Sequence, residues 1–183
     1  MTEHVDAGEL RERPEVLRLT AVEGGYEWQP LRRTWAKAEL QTGRQIWSAH
    51  SVGAAGVTFL MRKQSLTLSD ALRWDKRHCT IVNIREYGRN HIQVDAALVE
   101  VTPCEDKYTN TRFPAIVAEQ YHRHDQQEPQ AVNAIRHILV TPKAVKLKPG
   151  RLVEVDGVSW PILTAHTLDP YKNEYVIERV ADL

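Results

Sequence analysis

The densest group of side chains able to ligate a metal is Glu119, His122, His124 and Asp125. A metal site needs its donors at fixed geometry, usually with a recognisable spacing. These four fall in a polar stretch with Gln126, Gln127 and Glu128, so a solvated loop is expected and no metal site. Of the two cysteines, Cys79 and Cys104, the first alternates with Ile81 in an apolar run. That pattern predicts a buried thiol, and no histidine is placed by the sequence to make it a nucleophile. Two thiols are too few for a disulfide framework and suit a reducing compartment. The carboxylates are scattered, with no pair set to share a proton, and there is no glycine-rich loop of the phosphate-cradling kind. No catalytic residue and no cofactor is therefore expected, and the chain reads as a non-enzyme.

The informative residues lie in Gln41 to Gly56, QTGRQIWSAHSVGAAG. Gly43, Arg44, Trp47, His50, Gly53 and Gly56 are the candidates for an interface or channel loop. Trp47 is the natural anchor for a subunit interface. Arg44 and His50, with Arg62 and Lys63 beyond, are placed to meet DNA or an acidic neighbour. The flanks must position them. Thr34–Leu40 alternates, with Ala36, Ala38 and Leu40 on one face, and Val57–Arg62 is a second apolar strand candidate. The stretch between them exceeds the roughly two to five residues of a hairpin loop, and a long connection usually has a task. Gly43 and Gly53 bracket Ile46, Ala49 and Val52 at three-residue spacing, which predicts a short helix there.

Further strands are predicted at Glu15–Thr20, His78–Ile84 and Ile92–Val101, with turns at Gly24-Gly25, Trp74–Arg77 and Gly88. Glu105–Asn110 reads as a linker. The plan then recurs: strands at Ala115–Glu119 and Ala134–Val140 around a polar excursion at Gln120–Asn133, then Arg151–Val158, Trp160–Ala165 and Tyr175–Ile177. Aligning Asp75-Lys76 with Asp156-Gly157 sets Ile81-Val82 on Ile162-Leu163. The predicted fold is mainly β: small antiparallel barrel or sandwich domains with a short helix in the long loop, duplicated in tandem over 1–104 and 105–183. The second copy is expected to be short of one strand, having no visible counterpart of residues 15–20.

Composition narrows the function classes. The chain has 183 residues, 42% hydrophobic and 26% charged, as expected of folded domains and not of disorder. Lys+Arg and Asp+Glu both number 24, which argues against a bulk nucleic-acid or membrane-surface binder. The first residues, MTEHVDAGELRERPE, carry no apolar segment of the signal-peptide kind. No run approaches the roughly 20 apolar residues of a membrane span.

The order of motifs in residues 6–103 resembles the head–tail joining family of tailed bacteriophages, the head-closure or stopper proteins. The resemblance is carried by Asp6–Arg13, the Gly24-Gly25 turn with Tyr26 and Trp28, Trp35–Glu39, Gly43-Arg44 and the Ile81-Val82 strand after its turn. It implies a small β-barrel with a helix in its long loop, and a structural virion protein forming a cyclic ring at the head–tail interface. It further implies that the ring seals packaged double-stranded DNA and offers the tail its attachment surface. Its implied partners are further copies of itself, the portal or adaptor protein, and a tail or tail-terminator protein. Its implied location is the virion, after synthesis in the host bacterial cytoplasm. The chain departs from the family in adding a second domain, and Asp75-Lys76 lacks the glycine that Asp156-Gly157 retains. The alternatives are a tail-terminator or tail-completion ring and a nucleic-acid-binding module of the partly open barrel type.

Overall fold

The computed structural model describes residues 7–48, 52–119 and 134–180. Apart from a single 3-10 turn at Ala7–Glu9, the described residues form strands and their connections. No helix among them is long and apolar enough to cross a membrane. The chain divides into two compact units, Met1–Ala21 with Glu27–Glu100, and Val22–Tyr26 with Val101–Leu183.

The first unit is built from β1 (Glu15–Val22), β2 (Gly25–Arg33), β3 (Ala36–Ile46), β4 (Gly53–Arg62), β5 (Asp70–Trp74), β6 (Arg77–Tyr87) and β7 (His91–Val99). Its antiparallel neighbours run β1-β5-β6-β7-β4-β3. The circuit returns to the segment ahead of β1 through one bridge, Glu12 to Ala36, with amide–carbonyl bonds of 2.9 and 3.0 Å. Inside it, Val16, Phe59, Met61, Leu72, Ile81 and Val94 form a buried core. Trp74 meets Phe59 edge-on at 5.8 Å, the geometry that the ring quadrupoles favour. Strand β2 escapes sequence reasoning because its side chains are mostly exposed and Pro30 interrupts it.

The second unit contains β8 (Thr102–Asp106), β9 (Thr111–Glu119), β10 (Ala134–Pro142), β11 (Leu152–Val155), β12 (Val158–His166) and β13 (Lys172–Val180). Each pairs antiparallel with the next around the order β8-β11-β12-β13-β10-β9, and β9 pairs with β8, giving a closed six-stranded barrel. Closure removes free edges. Phe113, Leu139, Val153, Ile162, Tyr175 and Ile177 fill it. The β1–β2 hairpin tip belongs to this unit: Gly25 bridges Arg112, whose amide donates to Gly24 O at 2.8 Å.

The two circuits have the same topology. Strands β1, β3, β4, β5, β6 and β7 take the places of β8, β9, β10, β11, β12 and β13, with five neighbour pairs preserved; the sixth, β8–β9, is answered in the first unit only by the Glu12–Ala36 bridge. Details agree as well. Asp75-Lys76 and Asp156-Gly157 both form two-residue turns with positive φ throughout, 49° and 62° against 49° and 78°, the backbone that a tight hairpin requires. The ladder then slips between Ile81 and Asn83 in one unit and between Ile162 and Thr164 in the other. Turn and bulge are thus equally spaced in both.

Two expectations need correction. The predicted short helix is absent from the described part of the excursion, because β3 continues to Ile46 and β4 begins at Gly53. Glu105-Asp106, read as linker, is the end of β8, which is the counterpart of β1 that the sequence hid. Five residues interrupted by Pro103 are too few to show an alternating pattern.

Candidate functional site

The candidate site is the β3–β4 hairpin. Its root pairs regularly from Ala36 with Met61 to Leu40 with Val57, and pairing resumes from Arg44 with Ala55 to Ile46 with Gly53. Between them Gln41, Thr42 and Gly43 stand against Gly56 alone. This wide bulge turns the long polar side chains across β4. A Cβ on Gly56 would lie 2.6 Å from both Gln41 Oε1 and Gln45 Cγ, so only glycine lets them cross.

What crosses is a chain of hydrogen bonds. Gln45 Nε2 donates to Gln41 Oε1. Gln41 Nε2 donates to Thr58 Oγ1 at 2.5 Å, and the Thr58 hydroxyl donates to Asp95 Oδ1 at 3.0 Å. Asp95 also accepts from Arg85 Nη2 at 2.7 Å and Gln93 Nε2 at 3.4 Å. The network links β3, β4, β7 and β6 and ties the base of the hairpin to the barrel wall. A nearly buried carboxylate with these donors is satisfied, which is what makes its burial tolerable. Sequence reasoning missed this group. The available signal was Asp95 itself, an acid inside the apolar run Val94–Val99.

The predicted residues separate. Gly43 sits in the bulge, where an added Cβ would touch nothing. Arg44 Nη2 donates to the Gly53 carbonyl at 2.6 Å, so the guanidinium braces its own hairpin. A Cβ on Gly53 would meet Arg44 Nε at 3.4 Å. Trp47, expected as an anchor for a subunit interface, is 5% exposed, and its amide donates to Val52 O at 3.1 Å. His50 lies outside the described residues. The exposed apolar side chains are instead Leu40 and Ile46, 60% and 64% exposed. Leu40 stays in the regular ladder with Ala36 and Ala38, just ahead of the bulge, but it lies beyond the part of that face which the core covers. Lys63 pairs with Glu86, whereas Arg62 is exposed.

The remaining reactive groups are quiet. Burial pushes the Cys79 thiol up to about 12, partly opposed by a backbone hydrogen bond at Trp74 and the Arg77 charge. Burial, with the Asp156 charge, does the same for Cys104. Neither is a thiolate near neutral pH. Of the polar cluster only Glu119 is described, at the end of β9; His122, His124 and Asp125 lie outside the described residues. Among the described residues no group of three or more His, Cys, Asp and Glu side chains is arranged to hold a metal ion. Comparison with protein-family models, curated proteins and solved structures finds no match to this chain.

Proposed function

We propose that the protein is a structural component of a phage head–tail interface, a head-closure ring subunit whose β3–β4 hairpin meets neighbouring copies. The observation that carries the reading is the hairpin's build. A hydrogen-bonded network fixes its root, and Leu40 and Ile46 stand exposed on an arm whose Gly56 and Arg44 serve its own geometry. Ordering an arm beforehand removes an entropic cost from association. Exposed apolar side chains supply the contact area. Cyclic symmetry repeats that contact at every subunit, so individually modest interfaces hold a ring. The resemblance of residues 6–103 to the head–tail joining family supports the same reading.

The test is assembly. Native mass spectrometry and negative-stain imaging, with the protein alone and with its cognate portal, are expected to show closed rings. Leu40→Asp with Ile46→Asp is expected to abolish them while leaving the circular-dichroism spectrum and melting unchanged. Wild-type protein that never forms rings under either condition, or a double variant that assembles normally, refutes the proposal.

A further inference from the structure

In each unit an irregular segment links the third and fourth strands of the repeat. In the first unit it is Lys63–Ser69 and in the second Lys143–Arg151. Both turn alternate residues toward the core. Leu66 and Leu68 pack on the first core, and Val145 and Leu147 are buried in the second. The outward positions differ sharply. In the first unit they are Ser65, Thr67 and Ser69; in the second they are Ala144, Lys146 and Lys148. The duplicated architecture therefore supplies its own control, since the fold needs the alternation but not the charge.

The second segment is also held still. Buried Asn173 donates through Nδ2 to Val145 O at 2.7 Å and Lys143 O at 3.2 Å. The Tyr175 hydroxyl donates to Val145 O at 3.2 Å and accepts from Leu147 N–H at 3.0 Å. Lys143 Nζ is occupied by the carbonyls of Thr167 and Asp169, each at 2.6 Å. Lys107, Arg112, Arg136 and Lys172 of this unit are paired with carboxylates. Lys146 and Lys148 are exposed and have no ion-pair partner among the described residues. Beside them Arg151 stacks on Tyr108 at 3.8 Å, and its Nη1 stands 3.9 Å from Asp106. A cleft of about 220 Å³ adjoins them, lined in part by Lys146, Arg151, Thr109, Thr111 and Tyr26.

We infer that Lys146, Lys148 and Arg151 form a contact strip for the phosphate backbone of double-stranded DNA. This rests on the reading above, in which the ring encloses packaged DNA. An extended two-residue step separates Lys146 from Lys148 by about 7 Å, and a DNA strand carries a phosphate every 3.4 Å or so along its axis. Two ammonium groups at that interval can face phosphates of one strand. Lys146 and Lys148 are flexible point charges and the Arg151 guanidinium is engaged by Tyr108 and Asp106, so the contacts are to phosphate, which carries no sequence information. A fixed backbone lowers the entropy lost on contact.

The experiment is an amide NMR titration of the full chain with a short mixed-sequence duplex at low salt, repeated across a salt series. Shifts are expected to concentrate on Ala144–Arg151 and the Tyr108–Thr111 turn. The log–log salt slope is expected at about −2 to −3, roughly 0.9 for each neutralised phosphate. Lys146→Ala with Lys148→Ala should lower that slope by nearly 2, and the double Lys→Arg variant should keep it. Lys63→Ala, at the equivalent segment of the first unit, should change nothing. No localised shift at low salt, shifts centred on other residues, or an unaltered slope in the double Ala variant overturns the proposal. An equal response to poly-glutamate at matched charge also overturns it, by assigning the strip to an acidic protein. Ring formation is scored separately, so DNA binding without rings would sink the assembly reading and leave the strip standing.

Discussion

Replacing Tyr175 by Phe removes one oxygen from the centre of the second barrel. That hydroxyl is fully buried, and burial pushes its pKa up, so it remains a donor across the ordinary pH range. It serves two partners, Leu147 N–H and Val145 O. Their fates differ on its removal. Val145 O keeps the Asn173 amide at 2.7 Å, whereas Leu147 N–H, in a residue only 6% exposed, is left unsatisfied. An orphaned buried donor costs about 1–3 kcal/mol, and the ring volume is unchanged, so no cavity term is added. The expected loss is therefore about 1–3 kcal/mol, confined to the second unit. Urea unfolding followed by NMR peaks of each unit measures it without assuming that both melt together. Hydrogen exchange at the Leu147 amide supplies the local readout and should accelerate along with the loss. Asn173→Ala shares Val145 O, so the double variant should be non-additive. A loss under about 0.5 kcal/mol, within the range of ordinary surface substitutions, with Leu147 exchange unchanged would refute the clamp.

Two further outcomes follow from packing and charge. At the hairpin tip, Gly25→Ala would bring a Cβ to 1.9 Å from Arg112 O, a backbone atom with nowhere to go. It should break the Gly25–Arg112 bridge and cost at least about 2 kcal/mol. Gly24→Ala meets no atom but sits at φ +79°, and should cost only about 1 kcal/mol; equal effects by thermal melting would refute the packing account. His78, its ring tilted 54° against Trp28 at 5.2 Å, has its pKa lowered to about 4, first by burial and then by the Arg73 charge. Between its ordinary value of 6.5 and about 4 the unfolded chain binds a proton that the folded chain refuses. Stability from neutral His78 is therefore complete above 6.5 and is lost as pH falls through that window, by up to roughly 3 kcal/mol. An imidazole that titrates near 6.5 by NMR would refute this.

The repeat was legible because hydrophobic alternation and turn residues are local signals. Asp75-Lys76 and Asp156-Gly157, each ahead of an apolar strand, are visible in a string of letters, and they are equivalent turns in the two circuits. The shortest strand, β8, was not legible, and nor was β2, whose exposed face and Pro30 erase the pattern. The helix predicted in the excursion is not found among its described residues. Residues three apart suggested a helical stripe, but Arg44, Gln45 and Ile46 are taken into β3 by pairing with β4.

The sequence by itself determined the β character, the tandem plan, the turn positions and the burial of Cys79, because each depends on neighbours within a few residues. Only the tertiary structure decided which side chains face solvent at the hairpin. Trp47, just past the end of β3, is buried, whereas Leu40 and Ile46 are exposed, because alternation tells which residues share a face of a strand but not how far the core extends beneath that face. It also decided that the lysines of Lys143–Lys148 have different tasks. Lys143 is consumed by two carbonyls from a distant loop, while Lys146 and Lys148 are left exposed. Such partnerships join residues far apart in the chain, and only the folded barrel brings them within hydrogen-bonding distance.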